Sequence, residues 1–275
     1  MTSPHPLDEA VALDRLPDGR LGGRTHPAWA NMVGPFGGIT AAVALNAAWS
    51  SPERLGEPVA LTVNYAGPLA DGDFTVAVRA ARTNRSTQHW TIEIAQDDGV
   101  AVTASAVFAA RRPTWSAAEA QMPDVPAFDS VERVPARPLA WTHNYDMRIV
   151  RGAPSLGPAR PGAAEPEGAA DATSWLWLRD DPPRRLDFLS LAAIADAFFP
   201  RIFLRRPRRV PIGTVTLTTY FHAGAEELAA QGDRPLLGVA RAGRFAGGYF
   251  DQAAELWSER GTMLASSHQL VYFRE

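Results

Sequence analysis

The chain has 275 residues, of which 46% are hydrophobic, and it carries a formal net charge of −3. This length and composition predict a globular protein with a substantial core, and the charge gives no reason to expect nucleic acid or an anionic membrane as a partner. The absence of cysteine excludes disulfides, thiolate nucleophiles and thiolate metal sites. Since the N-terminus lacks signal-peptide character and no apolar run approaches the roughly 20 residues of a membrane span, we expect a cytoplasmic location.

In the first half of the chain, a helix is predicted ahead of a run of strands. Residues 35–48 (PFGGITAAVALNAA) are rich in small side chains, and from Ile39 onward only Thr40 and Asn46 are polar. Such a helix must be covered nearly all round, and a sheet curling around it would do that. Alternating and β-branched residues predict an antiparallel meander of strands over residues 60–65, 74–82, 88–96 and 100–110, with a hairpin turn at 97–99.

The second half repeats this plan after an interruption. Residues 112–137 are rich in Pro and Ala without a sustained period, which predicts a linker along the surface. Residues 152–170 predict a mobile loop between two strands, near 141–150 and 173–179. A helical stretch over residues 185–199 then precedes strands over 214–222, 236–242, 248–258 and 263–273.

Two pairs of segments indicate that one unit is present twice. VALTVNYAG in the first half is answered by TVTLTTYFHAG, and Leu217 follows Leu61 by 156 residues. QDDGVAVTASAVFAA is answered by SERGTMLASSHQLVYF, and Gly261 follows Gly99 by 162 residues. Because the two offsets are similar and occur in the same order, we expect a duplicated helix-plus-sheet unit.

Asp196 is the first candidate for chemistry. At helical spacing its neighbours are small or apolar, so its carboxylate is either desolvated or opens on a cavity. The alternative is an acid at a frayed helix end just before Pro200, and both interpretations stay open. Asp187, in contrast, lies where a carboxylate favours the positive end of a helix, so we assign it a structural role.

A comparison of the two copies singles out Gln269. Its strand alternates, and at the position 162 residues earlier the side chain is the apolar Val107. With the other offset, Asp196 answers to Thr40 and Thr214 answers to Pro58. A polar group gained in only one copy is typical of a single active site, although drift on an exposed face has the same effect, and threonine is common in strands in any case.

Three glycines, Gly34, Gly37 and Gly38, lie at the entrance to the first helix. They permit either close packing or the approach of a ligand oxygen to free backbone N–H groups. Ser267 and the histidines do not indicate nucleophilic catalysis, because no serine lies in a strand–elbow–helix context. The histidines also show no metal-ligand spacing.

Taken together, these segments resemble the acyl-CoA thioesterase II-like family. GPFGGITAAVALNAA, LTVNYAGPLADG, NRS and QDDGVAVTASAVF are similar to the first half of such proteins, and AIADAFFP, GTVTLTTYFH and GTMLASSHQL to the second. The resemblance implies an α+β fold of the double hotdog type, two fused copies of a long helix wrapped by an antiparallel sheet. We divide the chain into an N-terminal hotdog (1–112), a linker (113–136) and a C-terminal hotdog (137–275) that carries the catalytic residues.

The resemblance also implies an activity and a set of residues. The family's Asp, Thr and Gln fall on Asp196, Thr214 and Gln269, which would activate a water molecule to hydrolyse acyl-CoA without metal or cofactor. Gly37 and Gly38 are the predicted substrate-binding residues, with the Gly38 N–H as a donor to the thioester carbonyl. A hotdog enoyl-thioester hydratase and a non-catalytic acyl-thioester binding protein remain alternatives. The expected partners are the acyl-CoA substrate and further copies of the chain, as a homodimer or higher homo-oligomer.

Overall fold

Antiparallel strands form the frame of the molecule, and the computed structural model describes residues 4–97, 99–135, 138–155 and 167–274. The strands are β1 (Asp14–Arg15), β2 (Leu21–Arg24), β3 (Glu57–Tyr65), β4 (Asp73–Thr83), β5 (Thr87–Gln96), β6 (Gly99–Ala109), β7 (Tyr145–Arg151), β8 (Ser174–Asp180), β9 (Ile212–Phe221), β10 (Leu236–Arg241), β11 (Phe245–Ala246), β12 (Tyr249–Ser258) and β13 (Met263–Phe273). The helices are α1 (Pro6–Ala10), α2 (Gly37–Trp49), α3 (Phe188–Ile194), α4 (Ile202–Arg205) and α5 (Ala225–Gln231).

All the strands belong to one sheet. Their order is β1-β2-β4-β5-β6-β3-β9-β13-β12-β10-β8-β7, and β11 pairs with β12. The strands of the first half of the chain therefore lie together, those of the second half lie together, and β3 and β9 join them edge to edge. This arrangement confirms the α+β class. The predicted meanders are only partly right: β4-β5-β6 and β10-β12-β13 follow one another in the sheet, but β3 pairs with β6 and β9 pairs with β13.

The junction between β3 and β9 explains the 156-residue offset between the two copies. Thr62 pairs with Thr218, 156 residues later, and the two Oγ1 atoms are 3.1 Å apart. On either side Leu61 pairs with Thr219 and Val63 with Leu217. Residues that correspond by the 156-residue offset thus lie symmetrically about this point, which places a pseudo-two-fold axis between Thr62 and Thr218.

The register corrects the counterpart of Gln269. In the first half Leu61 pairs with Ala106, and in the second half Leu217 pairs with Gln269. Ala106 is therefore the structural counterpart of Gln269, and Val107, one residue further and on the other face of the strand, is not. A one-residue error of this kind exchanges the inner and outer faces of a strand. The conclusion itself holds, since an apolar inward side chain in one copy is an amide in the other.

Helix α2 is enclosed as predicted. Ten of its 13 residues are buried, which leaves no solvated face of ordinary width. It contacts β3, β4, β5 and β6, and packs against α3 on its remaining side. The many alanines favour the helix and allow these close contacts.

The second helix is shorter than predicted. Asp187 caps α3 by accepting a hydrogen bond of 2.8 Å from the backbone N–H of Ser190, which confirms its structural role. The helix ends at Ile194, so Asp196 lies in the turn that follows and not on the helix. Phe188 begins α3 151 residues after Gly37 begins α2, and the correspondence of Thr40 with Asp196 stays a prediction.

The eight strands predicted in the two meanders occur with ends that differ by three residues at most. Sequence periodicity missed the shortest elements, because two to seven residues are too few to show a period. Gln96 pairs with Gly99 across the predicted hairpin, whose Asp98 lies outside the described residues. Residues 156–166 of the predicted mobile loop also lie outside them.

The segment predicted as a linker also takes part in packing. Phe128 is buried in a cluster with Trp177 and Leu237, and the guanidinium of Arg148 lies 3.7 Å from the centre of its ring. The segment therefore packs against the second half of the sheet through the apolar side chain of Phe128. None of the helices in the described part of the chain combines the length and apolar character needed to cross a membrane.

Candidate active site

A cavity of about 1180 Å³ lies where the two halves meet. The first half contributes the residues before α2 and the end of β3, and the second half contributes the segment after α3, the start of β9 and part of β13. Aromatic and aliphatic side chains dominate the wall, among them Phe36, Trp141, Phe198, Phe199, Phe203 and Tyr272. A concave, mostly apolar cavity with a few polar groups is typical of a small-molecule site.

Asp196 is the carboxylate of this cavity. Only 8% of the residue is exposed, and its Oδ1 accepts a hydrogen bond of 2.8 Å from Gln269 Nε2. Burial raises the pKa of Asp196 to about 7, against the opposing effects of the Gln269 hydrogen bond and a hydrogen bond from the Gly38 backbone. The desolvated interpretation of Asp196 is therefore confirmed, and so is its opening on a cavity.

Gln269 connects Asp196 to Thr214. Thr214 Oγ1 donates to Gln269 Oε1 over 3.5 Å, the long limit of a hydrogen bond. An amide whose oxygen accepts on one side presents its NH₂ on the other, so Thr214 orients Gln269 to donate to Asp196. The three predicted residues therefore lie in a chain, with Gln269 in the middle, and all three line the cavity.

Ser267 fixes the turn that carries Asp196. Its hydroxyl donates a buried hydrogen bond of 3.1 Å to the carbonyl of Ala195, directly before the aspartate. His222 bonds instead to Ser266 over 2.9 Å, and His268 points to the exposed face of β13. These contacts leave Ser267 without a histidine and support the conclusion that it is not a nucleophile. Within the described residues, no group of three or more potential ligands could hold a metal ion.

A side chain is disfavoured at each of the three glycines for a different structural reason. Gly34 has φ +64°, and an added Cβ would lie 2.3 Å from the Leu69 carbonyl oxygen. A Cβ on Gly37 would lie 2.7 Å from Asp196 Oδ2, so this glycine gives access to the carboxylate. A Cβ on Gly38 would lie 2.3 Å from the carbonyl oxygen of Ala193 in α3.

The assignment of Gly38 as a donor to substrate stays a prediction. Gly38 is not among the residues that line the cavity. The missing side chain serves the close approach of α2 and α3, a packing role between two helices. Gly37, which does line the cavity, is the better candidate for contact with a ligand.

Two tyrosines of the cavity wall, Tyr65 and Tyr145, were missed by sequence reasoning. Tyr65, at the end of β3, donates a hydrogen bond of 2.8 Å to the Gly37 carbonyl. Its counterpart at the 156-residue offset is Phe221, so the same comparison of copies that found Gln269 would have found this hydroxyl. Tyr145 precedes the segments in which the sequence repeat was found, so this comparison gives no signal for it.

Comparisons with known proteins agree with this architecture. Models of the N-terminal and C-terminal domains of acyl-CoA thioesterases match residues 25–109 and 117–273. A conserved protein of unknown function with a hot dog fold, from Alicyclobacillus acidocaldarius, is 48% identical with a TM-score of 0.91, over 99% of each chain. No curated protein matches the chain.

More distant structures share the fold over their whole length. A putative thioesterase II from Thermobifida fusca is 20% identical, with a TM-score of 0.81 and 100% of each chain covered. An acyl-CoA thioesterase II from Mycobacterium marinum is 18% identical, with a TM-score of 0.75 and 98% of each chain covered. The similarity spans both halves, as expected for a duplicated unit.

Proposed function

Because the chain belongs to the acyl-CoA thioesterase family, whose members are thioester hydrolases, we propose that it hydrolyses acyl-CoA to a carboxylic acid and free CoA. The observation that supports this proposal is a buried carboxylate, Asp196, held by Gln269 in the wall of a large apolar cavity. A base with a pKa of about 7 suits proton transfer at neutral pH.

In this mechanism Asp196 takes a proton from a water molecule as the water oxygen attacks the carbonyl carbon. The C–S bond then breaks, and the departing CoA sulfur receives the proton from Asp196. The carboxylate is thereby restored, and no covalent intermediate with the protein forms. Gln269 and Thr214 keep the carboxylate and the water in position for this transfer.

The carbonyl oxygen becomes negative as the water attacks, and the start of α2 is the natural place to stabilise it. Among the described residues no side chain caps this helix, so its first N–H groups remain available to a ligand. Because Gly37 lines the cavity and Gly38 does not, the Gly37 N–H is the proposed donor to the oxyanion. The acyl group would lie among the aromatic side chains of the cavity, and Arg209 in the same wall would face the phosphates of CoA.

Two alternatives follow from other properties of the site. A hydratase of enoyl thioesters needs a histidine beside the aspartate, and His143 lines the same cavity as Asp196, although the two are distant in sequence. A binding protein without turnover would use the cavity alone. We keep thioester hydrolysis as the proposal because, among the described residues, the side-chain hydrogen bond to Asp196 comes from the Gln269 amide and not from a histidine.

Release of CoA from a panel of acyl-CoA esters tests the proposal. We expect hydrolysis by the wild type and a loss of about 10²- to 10⁴-fold in Asp196→Asn, since the amide is nearly isosteric but accepts no proton. Asp71→Asn, at an exposed turn outside the cavity, is the matched control. Wild-type rates in a folded Asp196→Asn protein would remove Asp196 from the mechanism. Loss of enoyl absorbance without CoA release would indicate the hydratase, and binding without either reaction would indicate the binding protein.

We also propose the remaining features expected from the resemblance, namely hotdog units over residues 1–112 and 137–275 and a homo-oligomer in the cytoplasm. Support for self-association comes from exposed large side chains on three adjacent strands. They are Tyr220 on β9, Tyr249 on β12, and Leu270 and Tyr272 on β13. The mass in solution, measured by light scattering over a range of concentrations, tests this proposal.

A further inference from the structure

The two tyrosines of the cavity wall differ in what their hydroxyl groups contact. Tyr65 donates to the Gly37 carbonyl, so its hydroxyl is satisfied within the fold. The hydroxyl of Tyr145 is buried and has no hydrogen-bond partner among the described residues. A buried polar group without a partner destabilises a fold, and such groups are rare enough to require an explanation.

The surroundings of Tyr145 hold its ring in place. Tyr145 is the first residue of β7, is 2% exposed, and pairs with Asp180 of the neighbouring strand β8. Its ring makes edge-to-face contacts with Trp29, at a centroid distance of 5.7 Å, and with Trp141, at 6.2 Å. These contacts favour one position of the ring.

The environment also keeps the Tyr145 hydroxyl protonated. Burial raises the pKa of Tyr145 well above its ordinary value, and the carboxylates of Asp180 and Asp196 raise it further. Tyr145, Gly37 and Asp196 line the same cavity. The wall of this cavity therefore contains a neutral donor together with the proposed base.

We propose that the Tyr145 hydroxyl donates a hydrogen bond to the thioester carbonyl oxygen and, with the Gly37 N–H, stabilises the oxyanion. This inference rests on the proposed function, and it fills the place that the Gly38 N–H was predicted to take. As water attacks, the carbonyl π electrons move onto the oxygen, and Tyr145 strengthens its hydrogen bond without giving up its proton. The substrate then supplies the partner that the hydroxyl lacks in the free protein.

A structural role is the competing explanation. Oδ1 of Asp180 is also buried without a partner among the described residues, directly across the strand pair from Tyr145. A water molecule bridging the two groups would satisfy both without substrate. In that case the hydroxyl would stabilise the fold and have no effect specific to catalysis.

Tyr145→Phe separates the two roles, because it removes only the hydroxyl. We expect kcat to fall by about 10- to 100-fold and KM to rise by a smaller factor, because the hydrogen bond is present in the bound substrate and strengthens in the transition state. The melting temperature should stay the same or rise, since an unpaired buried hydroxyl is removed. Asp71→Asn, at an exposed turn outside the cavity wall, is the control for both measurements.

An unchanged kcat in Tyr145→Phe, beside an active wild type, would overturn the inference and leave the proposed function intact. A lower melting temperature with an unchanged rate per folded molecule would assign the hydroxyl to structure. An inactive wild type would contradict the proposed function instead.

Binding of two unreactive analogues tests Tyr145 even without turnover. In one analogue of octanoyl-CoA, CH₂ replaces the sulfur and the carbonyl is kept as a ketone. In the other, octyl-CoA, a thioether has no carbonyl oxygen. Calorimetry should show that Tyr145→Phe weakens binding of the ketone and leaves binding of the thioether unchanged. Equal effects on the two analogues would mean that the hydroxyl does not contact the carbonyl.

Discussion

At the scale of single residues, the burial of Asp196 decides the pH at which the site works. Desolvation disfavours the charged form of a carboxylate, and in Asp196 it outweighs the hydrogen bonds that favour that form. At pH 7 the group is therefore divided between its two protonation states. A more exposed aspartate would be ionised throughout the neutral range but would be a weaker base.

The first prediction concerns pH. We expect kcat/KM to rise with pH and level off above an apparent pKa near 7, because only the ionised Asp196 accepts a proton from water. Initial rates of CoA release between pH 5 and 9 measure this dependence. A flat profile over that range would contradict a base with the pKa of Asp196.

The same shift has a consequence for stability. Because the folded pKa of Asp196 lies above its ordinary value of about 3.9, the protonated form stabilises the native state at low pH. This contribution to stability is complete below about pH 4 and is lost as pH rises through about 7. Burial also raises the pKa of Asp180, to about 6, so Asp180 changes the stability in the same direction. Urea unfolding at pH 5 and pH 8 should therefore show a smaller pH-dependent loss of stability in Asp196→Asn than in the wild type.

The order Thr214–Gln269–Asp196 predicts graded effects. Gln269→Ala removes the direct hydrogen bond to Asp196, whereas Thr214→Val removes only the group that orients Gln269. We expect Gln269→Ala to lower kcat more than Thr214→Val, and both to lower it less than Asp196→Asn. The double variant should lose less than the product of the single losses, since the two residues act through one amide. Kinetics of the four proteins in a double-mutant cycle would show this, and full additivity would mean that the residues act separately.

At the scale of elements, the crossing of α2 and α3 separates the roles of two adjacent glycines. In Gly38→Ala the new methyl group meets the backbone of α3, which has no flexible end to give way, so the helices must move apart. In Gly37→Ala it meets the Asp196 carboxylate and the Tyr65 hydroxyl, both side-chain ends at the site. The favourable helix propensity of alanine, up to about 1 kcal/mol over glycine, applies to both.

We therefore expect opposite patterns in the two variants. Gly38→Ala should lower the stability by about 1–3 kcal/mol, the usual cost of overpacking, and the activity will fall with the displacement of the helix start. Gly37→Ala should retain its melting temperature and lose activity by an order of magnitude or more, because the substrate carbonyl is kept from the helix start. Thermal unfolding and kcat, measured on the same preparations of both variants, test these expectations. A more stable, fully active Gly38→Ala protein would contradict the close contact with Ala193.

At the scale of the whole molecule, the sheet makes the halves dependent on each other. A fragment of residues 1–112 would expose the edge of β3 that normally pairs with β9, together with the side of α2 that packs on α3. It would also lack Asp196, Thr214 and Gln269. We expect this fragment to aggregate or to pair with itself through β3 about Thr62, as the pseudo-two-fold axis suggests. Gel filtration with light scattering tests this, and a soluble monomer that unfolds cooperatively would contradict the dependence.

Predictions from the sequence were most accurate where the two copies of the repeat could be compared residue by residue. The duplication placed the corresponding strands of the two halves and found Gln269, because an amide at an inward position stands out against an apolar counterpart. It did not give the order of the strands, because the pairing of β3 with β6 and of β9 with β13 depends on contacts distant in the chain. Thr214 was identified by the family resemblance alone, since a threonine at the start of a strand is unremarkable by itself.

The sequence by itself determined the family, the repeated order of strands and the enclosed first helix, because these depend on local periodicity and composition. Only the tertiary structure decided that Gly38 allows the close contact with α3 and that Gln269 bridges Thr214 and Asp196. It also decided that the buried Tyr145 hydroxyl has no hydrogen-bond partner among the described residues. The physical reason is that hydrogen bonds, burial and pKa depend on distances between segments far apart in the chain. Local pattern carries no information on such distances until the sheet has brought those segments together.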